Sequence, residues 1–264
     1  TVTAPAEPTT AGITAMAEIG GRSYDNERTV VDYPHIPRLV WQPPARLQAV
    51  CLNLAVQSTN IGYLPGAGDD VAQCVADMGC TVTSLTGADL TTNRLKDFDA
   101  VIIGVRAFNV RTDLVANLPA LFAYVAAGGN VIEQYNRPGR DLKSEEFTPY
   151  RLRLSNDRVT DETAPVTFLA PEHPALTTPN RITPADFAGW VQERGVYYPD
   201  QWDEHFTPIL ACNDPGEKPL PGGLLIASYG QGHFVYTGLA FFRQLPAGVP
   251  GAYRLFANLI SLGK

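Results

Sequence analysis

Residues 61–78, IGYLPGAGDDVAQCVADM, place a short apolar run, a glycine turn and an amphipathic segment one after another. The run at 61–64 has the length and apolarity of a buried strand, and the turn at 65–68 contains two glycines. Apolar side chains at the spacing of one helix face follow at positions 71, 74, 75 and 78. These residues predict a strand, a turn and a helix, which is the repeating unit of an α/β domain.

The same alternation continues along the chain. Further strands are expected at 80–85, 100–104 and 130–134, and a helix at 114–127 that the glycines at 128 and 129 end. The run Ala100-Val101-Ile102-Ile103 suits a strand covered on both faces. Later strands are expected at 165–169, 224–228 and 233–239, and a closing helix at 251–262. Because strands joined by helices pair in parallel, we predict a doubly wound, mostly parallel sheet.

Residues 1–45 have a different pattern. Short alternating runs flank Gly20-Gly21 and Asp25-Asn26, which predicts a β-hairpin, and a proline-rich connector follows. Two strands alone bury too little surface to be stable. The segment is therefore either the last part of a β-sandwich or a strand pair packed on the main domain, and residues 46–264 form the α/β domain.

Composition excludes several classes of protein. The 264 residues carry a net charge of −7, which disfavours a surface that binds nucleic-acid phosphates. The hydrophobic content of 45% is dispersed, and a run of about 20 apolar residues, which a membrane span needs, is absent from the sequence. Four cysteines without a C-x-x-C pair indicate neither a disulfide scaffold nor a zinc site. Neither a metal nor a cofactor is expected.

Candidate site residues follow the predicted strands at their carboxyl ends, where open parallel sheets bind ligands. Two long connections, 136–163 and 171–221, are expected to fold over this end of the sheet. Arginine forks and aromatic faces suit sugars and carboxylates, but they equally suit a well-anchored loop, and both interpretations stay open. The residues predicted to bind a ligand are Asp69, Arg106, Asn109, Gln134, Tyr135, Asn136 and Arg243.

Motifs for other chemistry are weak. The Gly66-Ala67-Gly68 turn lacks the third glycine and the lysine of phosphate-binding loops, so a plain helix-capping turn is favoured. The turn after the fourth strand, residues 133–136, contains neither serine nor cysteine where a nucleophile elbow would place one. Cys212 is the remaining candidate for a cysteine–histidine pair, with His205 or His233.

Six runs carry a resemblance to a known family. They are residues 61–69, 104–109, 133–136, 158–162, 189–195 and 242–254. From about residue 32 to the end, the chain resembles the C-terminal module of large bacterial PIG-L (LmbE-like) deacetylase proteins. The resemblance implies a class I glutamine amidotransferase-like, flavodoxin-like three-layer fold, a carbohydrate-related context and often an exported parent protein.

The departures from that family affect the expected activity. The zinc deacetylase domain carries a His-Pro-Asp-Asp type motif, whereas this chain has His173-Pro174-Ala175-Leu176 in another part of another fold. The amidotransferase-like fold usually works through a cysteine and a histidine, and residues 133–136 contain neither. Neither activity is carried over, because fold does not imply function.

Two functional hypotheses follow, and whether the chain is an enzyme stays open between them. The first is a non-catalytic accessory module that binds carbohydrate, another small molecule or the deacetylase domain of a larger parent protein. The alternative is a hydrolase acting on a glycan or ester through carboxylates, with Glu133, Asp161 and Glu193 as the catalytic candidates. Nucleic acid and membrane are not expected partners, and a homodimer through the unpaired hairpin edge is a further expectation.

Overall fold

The computed structural model describes residue 3 and residues 5–264. Contacts within the chain divide it into two units, Thr1–Asn53 and Leu54–Lys264. The first unit contains three antiparallel strand pairs, β1 with β6, β2 with β3, and β4 with β5. Their bounds are β1 (Thr9–Thr14), β2 (Ala17–Ile19), β3 (Arg22–Tyr24), β4 (Thr29–Val31), β5 (Leu39–Trp41) and β6 (Arg46–Cys51).

The boundary between the units lies after Asn53, whereas the sequence places it after residue 45. The reason is the pairing of β6, which lies antiparallel to β1 from Thr9 opposite Cys51 to Thr14 opposite Arg46. Partners more than thirty residues apart leave no local signal in the sequence. The β-sandwich origin of this unit and its role in a dimer stay predictions.

The second unit contains the alternation of strands and helices. Its strands are β7 (Asn60–Leu64), β8 (Thr81–Ser84), β9 (Ala100–Ile103), β10 (Asn130–Gln134), β11 (Leu152–Val159), β12 (Val166–Phe168), β13 (Gly195–Trp202), β14 (Phe206–Pro208), β15 (Leu210–Cys212), β16 (Leu224–Tyr229) and β17 (Gly232–Thr237). Its helices are α1 (Val71–Asp77), α2 (Thr92–Leu95), α3 (Ala107–Val110), α4 (Leu114–Ala126), α5 (Pro174–Thr177), α6 (Phe241–Gln244) and α7 (Pro250–Ile260).

A seven-stranded sheet forms the centre of this unit, in the order β14-β16-β17-β10-β9-β7-β8. The five strands from β17 to β8 are parallel, and β16 and β14 add an antiparallel edge. The mixed α/β class and the mostly parallel sheet predicted from the sequence are confirmed.

Side chains of the central strands alternate between two hydrophobic clusters, one on each face of the sheet. Ile102 of β9 belongs to the cluster that contains residues of α1 and α7. Val101 and Ile103 belong to the cluster that contains residues of α4. Because successive side chains of a strand point to opposite faces, this division accounts for the uninterrupted apolar sequence of β9.

The two long connections contain strands of their own, which the sequence did not predict. β11 pairs with β13, and β12 pairs with β15, both antiparallel. A bridge joins Gly195, the first residue of β13, to Leu239 beyond the end of β17. The backbone N–H of Ala240 also donates to the carbonyl oxygen of Arg194 at 2.9 Å. These bonds fix the start of β13 at the carboxyl edge of the sheet.

Within the described residues, none of the helices has both the length and the apolar character needed to cross a lipid bilayer.

Candidate functional site

Polar and aromatic side chains meet where β7, β9, β10 and β17 end. We call the set Asp69, Arg106, Gln134, Tyr135, Glu193 and Arg243 the carboxyl-edge rim. Parallel strands end at one edge of the sheet, so the loops after them converge there. Glu193 comes from a distant part of the chain, and the bridge between Gly195 and Leu239 brings it to this edge.

Asp69 fastens the turn after β7 to the turn after β9. Its carboxylate accepts hydrogen bonds from the backbone N–H groups of Val71 at 3.0 Å and Val105 at 3.2 Å. It also accepts a short hydrogen bond from the Tyr63 hydroxyl. Burial and the neighbouring Asp69 charge both raise the pKa of Tyr63, so this tyrosine is a hydrogen-bond donor at neutral pH. The internal bonds of Asp69 explain its position without any ligand.

Asn109 and Asn136 also make their hydrogen bonds within the protein. The Asn109 amide exchanges two bonds of 2.8 Å with the backbone of Arg137. The Oδ1 atom of Asn136 accepts from the N–H of Phe108 at 3.0 Å, and its Nδ2 donates to Glu133 Oε1 at 2.5 Å. Both asparagines therefore tie α3 to the segment after β10. Their predicted contact with a ligand stays a prediction.

Two consecutive residues at the end of β10 are buried with unsatisfied polar atoms. Glu133 is fully buried, and Gln134 is 2% exposed. Neither Oε2 of Glu133 nor either amide atom of Gln134 makes a regular hydrogen bond to the described part of the chain. Burial raises the pKa of Glu133 well above its usual value, and the hydrogen bond from Asn136 opposes this only in part. Burial therefore favours the protonated, neutral form of Glu133.

Arg106 occupies the strained position between β9 and α3. Its φ of 56° lies in the left-handed region, which non-glycine residues seldom adopt. A left-handed residue between a strand and a helix is the geometry of a nucleophile elbow. The sequence places such an elbow after β10, whereas the strained residue follows β9 and presents a guanidinium instead of a nucleophile.

Glu193 lies between two arginines. Its Oε2 is 2.9 Å from Nη2 of Arg158, and its Oε1 is 3.0 Å from Nε of Arg243. Arg243 also donates to Oε1 of Gln192 at 2.7 Å. Gln244 anchors the segment by accepting from the N–H of Val191 at 2.7 Å. Two guanidiniums therefore surround one buried carboxylate at this part of the rim.

An aromatic group adjoins these charges. Tyr135 stacks on Tyr197, with ring centroids 5.8 Å apart, and its ring lies 5.2 Å from that of Phe242. The guanidinium of Arg243 lies 4.8 Å from the Phe242 centroid. Burial raises the pKa of Tyr135, and the charges of Arg106 and Arg243 lower it. Because both arginine charges act on the Tyr135 phenol, both guanidiniums lie near its hydroxyl group.

The three carboxylates proposed for hydrolysis have three different surroundings. Glu133 is buried and has a raised pKa, and Glu193 is held by two arginines. Asp161 accepts hydrogen bonds from the hydroxyl and backbone N–H of Thr163, which lower its pKa. The carboxylate hydrolase stays a hypothesis without a geometric observation in its favour.

The thiols of the second unit lie in its interior. Cys74, Cys80 and Cys212 are buried, and burial raises the pKa of each. The polar neighbour of Cys212 Sγ is the Tyr198 hydroxyl, at 3.6 Å, and not a histidine. His205 instead pairs with Asp203. The cysteine–histidine pair considered from the sequence does not form in this arrangement.

Metal-binding clusters are absent from the described part of the chain, since no three His, Cys, Asp or Glu side chains are grouped closely enough to hold an ion.

Arg158, a partner of the rim residue Glu193, was not among the residues predicted from the sequence to bind a ligand. Its contact with Glu193 depends on the pairing of β11 with β13, where Val159 lies opposite Gly195. The strand β11 reads LRLSNDRV and shifts register three times, so its polar and apolar residues do not alternate regularly. In the sequence, Arg158 belongs to the run 158–162 that carries the family resemblance. This run does not indicate which residue Arg158 contacts.

No family profile matches the sequence, and no curated protein matches it. A protein of Bacteroides uniformis described as ThuA-like aligns over 75% of this chain and 87% of its own, at 12% identity and a TM-score of 0.47. A protein of Thermoplasma acidophilum, described as part of a GMP synthase, matches over 78% and 94%, at 10% identity and a TM-score of 0.47. A cytoplasmic protein of Salmonella typhimurium LT2 aligns over 96% and 95%, at 13% identity and a TM-score of 0.48.

At these identities and TM-scores the similarity carries no inference about function. None of the three is described as a PIG-L deacetylase protein, so that parentage stays a prediction from the sequence.

Proposed function

We propose that this chain is a non-catalytic binding module that holds a carbohydrate at the carboxyl-edge rim. One observation carries the proposal. The ring of Tyr135 lies against Tyr197 and Phe242, the guanidinium of Arg243 lies 4.8 Å from the Phe242 centroid, and the Tyr135 carbonyl accepts the Arg106 N–H. Guanidinium forks and aromatic faces together suit a ligand with hydroxyl groups on an apolar ring.

The absence of catalysis is proposed from the state of the reactive groups. A cysteine nucleophile needs an exposed, low-pKa thiol, but burial raises the pKa of Cys74, Cys80 and Cys212. The strained turn between β9 and α3 presents Arg106. Both carboxylate oxygen atoms of Glu193 are already engaged by guanidiniums.

The sequence resemblance extends the proposal to a partner. In a PIG-L type parent protein, this module would be an accessory to the deacetylase domain, which would supply the zinc chemistry. We propose that the rim holds part of a glycan while such a domain acts on another part.

Titration calorimetry of the whole chain with glucose, N-acetylglucosamine and oligosaccharides chosen from a glycan array tests the binding proposal. We expect binding that Tyr135→Ala weakens at least about fivefold, since stacked aromatic contacts are worth about 1 kcal/mol or more. Tyr33→Ala is the matched control, because Tyr33 is 57% exposed in the first unit. Lack of binding to every sugar and to a PIG-L deacetylase domain would refute the proposal.

The same protein should release nothing from acetylated sugars or from nitrophenyl glycosides. Product formation above the buffer rate that disappears in Glu193→Gln would instead support the carboxylate hydrolase.

A further inference from the structure

The guanidinium of Arg106 is a charge without a counterion on the rim. Within residues 3 and 5–264, its side chain makes neither a hydrogen bond nor an ion pair, and its Nε is buried. The same residue has a φ of 56°. Backbone strain and an unsatisfied buried donor both cost free energy, and residues that keep such features cluster at functional sites.

Carboxylates near Arg106 are committed elsewhere. Asp69 lies against the N–H of Val105, one residue from Arg106, but it accepts from two backbone N–H groups and the Tyr63 hydroxyl. Glu193 is held by Arg158 and Arg243. The positive charge of Arg106 therefore remains available to a ligand, even though the chain as a whole carries −7.

Gln134 provides an independent second observation. It is 2% exposed, and neither its amide oxygen nor its amide nitrogen has a regular partner in the described residues. The next residue, Tyr135, accepts the backbone N–H of Arg106 on its carbonyl oxygen at 2.7 Å. The buried Gln134 amide, whose polar neighbour is the Tyr63 hydroxyl, thus precedes the residue that Arg106 contacts and carries the donor and the acceptor that a ligand hydroxyl group requires.

The surroundings of Arg106 favour an organic anion over an inorganic one. The Arg106 charge acts on the phenol of Tyr135, and that ring stacks with Tyr197. An aromatic surface contacts the apolar face of a sugar ring, which phosphate lacks. A guanidinium binds a carboxylate through two parallel hydrogen bonds.

We propose that Arg106 is the anion anchor of the rim and that the ligand is a carboxylate-bearing sugar. Its carboxylate would pair with the guanidinium, its ring would lie on Tyr135, and a hydroxyl group would meet the Gln134 amide. This inference rests on the proposed binding function and specifies its ligand class.

Calorimetric titration of the whole chain with glucuronate, glucose and inorganic phosphate tests the assignment. We expect glucuronate to bind at least about tenfold more tightly than glucose, because charge-assisted hydrogen bonds are stronger than neutral ones, and more tightly than phosphate, which has no ring to lie on Tyr135. Arg106→Gly should remove this preference. It should also leave the thermal midpoint unchanged or higher, since glycine adopts positive φ without strain.

Two controls keep the result interpretable. Arg140→Gly removes an exposed arginine of the same charge and should leave glucuronate affinity unchanged. Arg106→Asn retains tolerance of positive φ and should lose the preference as Arg106→Gly does.

The outcomes separate the two proposals. Binding of glucose as tightly as glucuronate, or an unchanged preference in Arg106→Gly, overturns the anion anchor and leaves the binding module standing. Phosphate binding as tightly as glucuronate overturns the assignment to a sugar acid. Lack of binding to all three compounds overturns the anion anchor, and the glycan titrations then decide the binding module.

Discussion

The Nε atom of Arg243 lies 3.0 Å from Oε1 of Glu193 and joins a helix after the last sheet strand to the segment that precedes β13. Glu193 is 4% exposed, so this contact and the one with Arg158 compensate the charge of a buried carboxylate. The two arginines differ in exposure, because the side chain of Arg158 is 54% accessible and that of Arg243 is 33% accessible.

Arg243→Ala should therefore destabilise the fold more than Arg158→Ala. Exposed ion pairs contribute about 0–1 kcal/mol, so Arg158→Ala should cost no more than that. Arg243→Ala also removes the contact with Phe242, and we expect a loss of about 1–3 kcal/mol. Urea denaturation measures both values. A larger loss in Arg158→Ala would contradict the assignment of Arg243 as the principal partner.

Glu133→Gln should flatten the dependence of stability on pH. The pKa of Glu133 is raised by burial in the folded state, so above its usual value of 4.5 the folded chain keeps a proton that the unfolded chain releases. The unfolding free energy then falls as pH rises, by up to about 1.4 kcal/mol per pH unit, until the folded pKa is passed.

Glutamine cannot ionise, and it preserves the acceptor for Asn136. We expect the variant to be nearly equal to the parent in stability at pH 4 and increasingly more stable than it as the pH rises to 8, from denaturant midpoints across that range. The exposed Glu145→Gln is the control. Parallel pH profiles for parent and Glu133→Gln would show that Glu133 is ionised in the folded protein.

Alkylation of the native protein should distinguish Cys51 from the other thiols. Cys51 is half-buried, whereas Cys74, Cys80 and Cys212 are buried with a raised pKa. Thiolate is the reactive form, so we expect iodoacetamide at pH 7.5 to label Cys51 at least about tenfold faster. Peptide mass spectrometry gives the rates, and urea should equalise them. Fast labelling of Cys212 without urea would revive a cysteine mechanism.

Gly66→Ala should disturb the close contact between the turn after β7 and the turn after β9, below the rim. A Cβ atom at Gly66 would lie 2.1 Å from the carbonyl oxygen of Val105, which is backbone and cannot turn aside. We expect a loss of stability of about 1–3 kcal/mol or more, measured by thermal unfolding. Gly12→Ala is the comparison, because its nearest atom, 3.5 Å away, is in the Arg46 side chain. An undisturbed Gly66→Ala would mean that the turns lie further apart.

The central strands could be predicted because their apolar runs are long enough to bury both faces. Residues 130–134 were predicted as a strand and form β10 with those bounds, and residues 100–104 were predicted where β9 spans Ala100–Ile103. By contrast, β11 mixes charged and apolar side chains and bulges against β13, so no period of two marks it.

The candidate residues divide in the same way. Arg106, Tyr135 and Arg243 follow strands of a parallel sheet, and the topology rule alone placed them at one edge. Their partners required the folded chain. The hydrogen bonds that Asp69 accepts from the backbone of Val71 and Val105, which hold two turns together, became evident only in the structure.

The sequence by itself determined the α/β class and the edge of the sheet where loops converge, because hydrophobic periodicity and turn residues are local properties. Only the tertiary structure decided which charges are neutralised there. Arg158 and Glu193 are 35 residues apart and meet through strand pairing. Arg106, by contrast, has no ion-pair partner in the described residues, because nearby Asp69 is bound to backbone N–H groups. Charge pairing depends on distance in space and on burial, and neither can be read from separation along the chain.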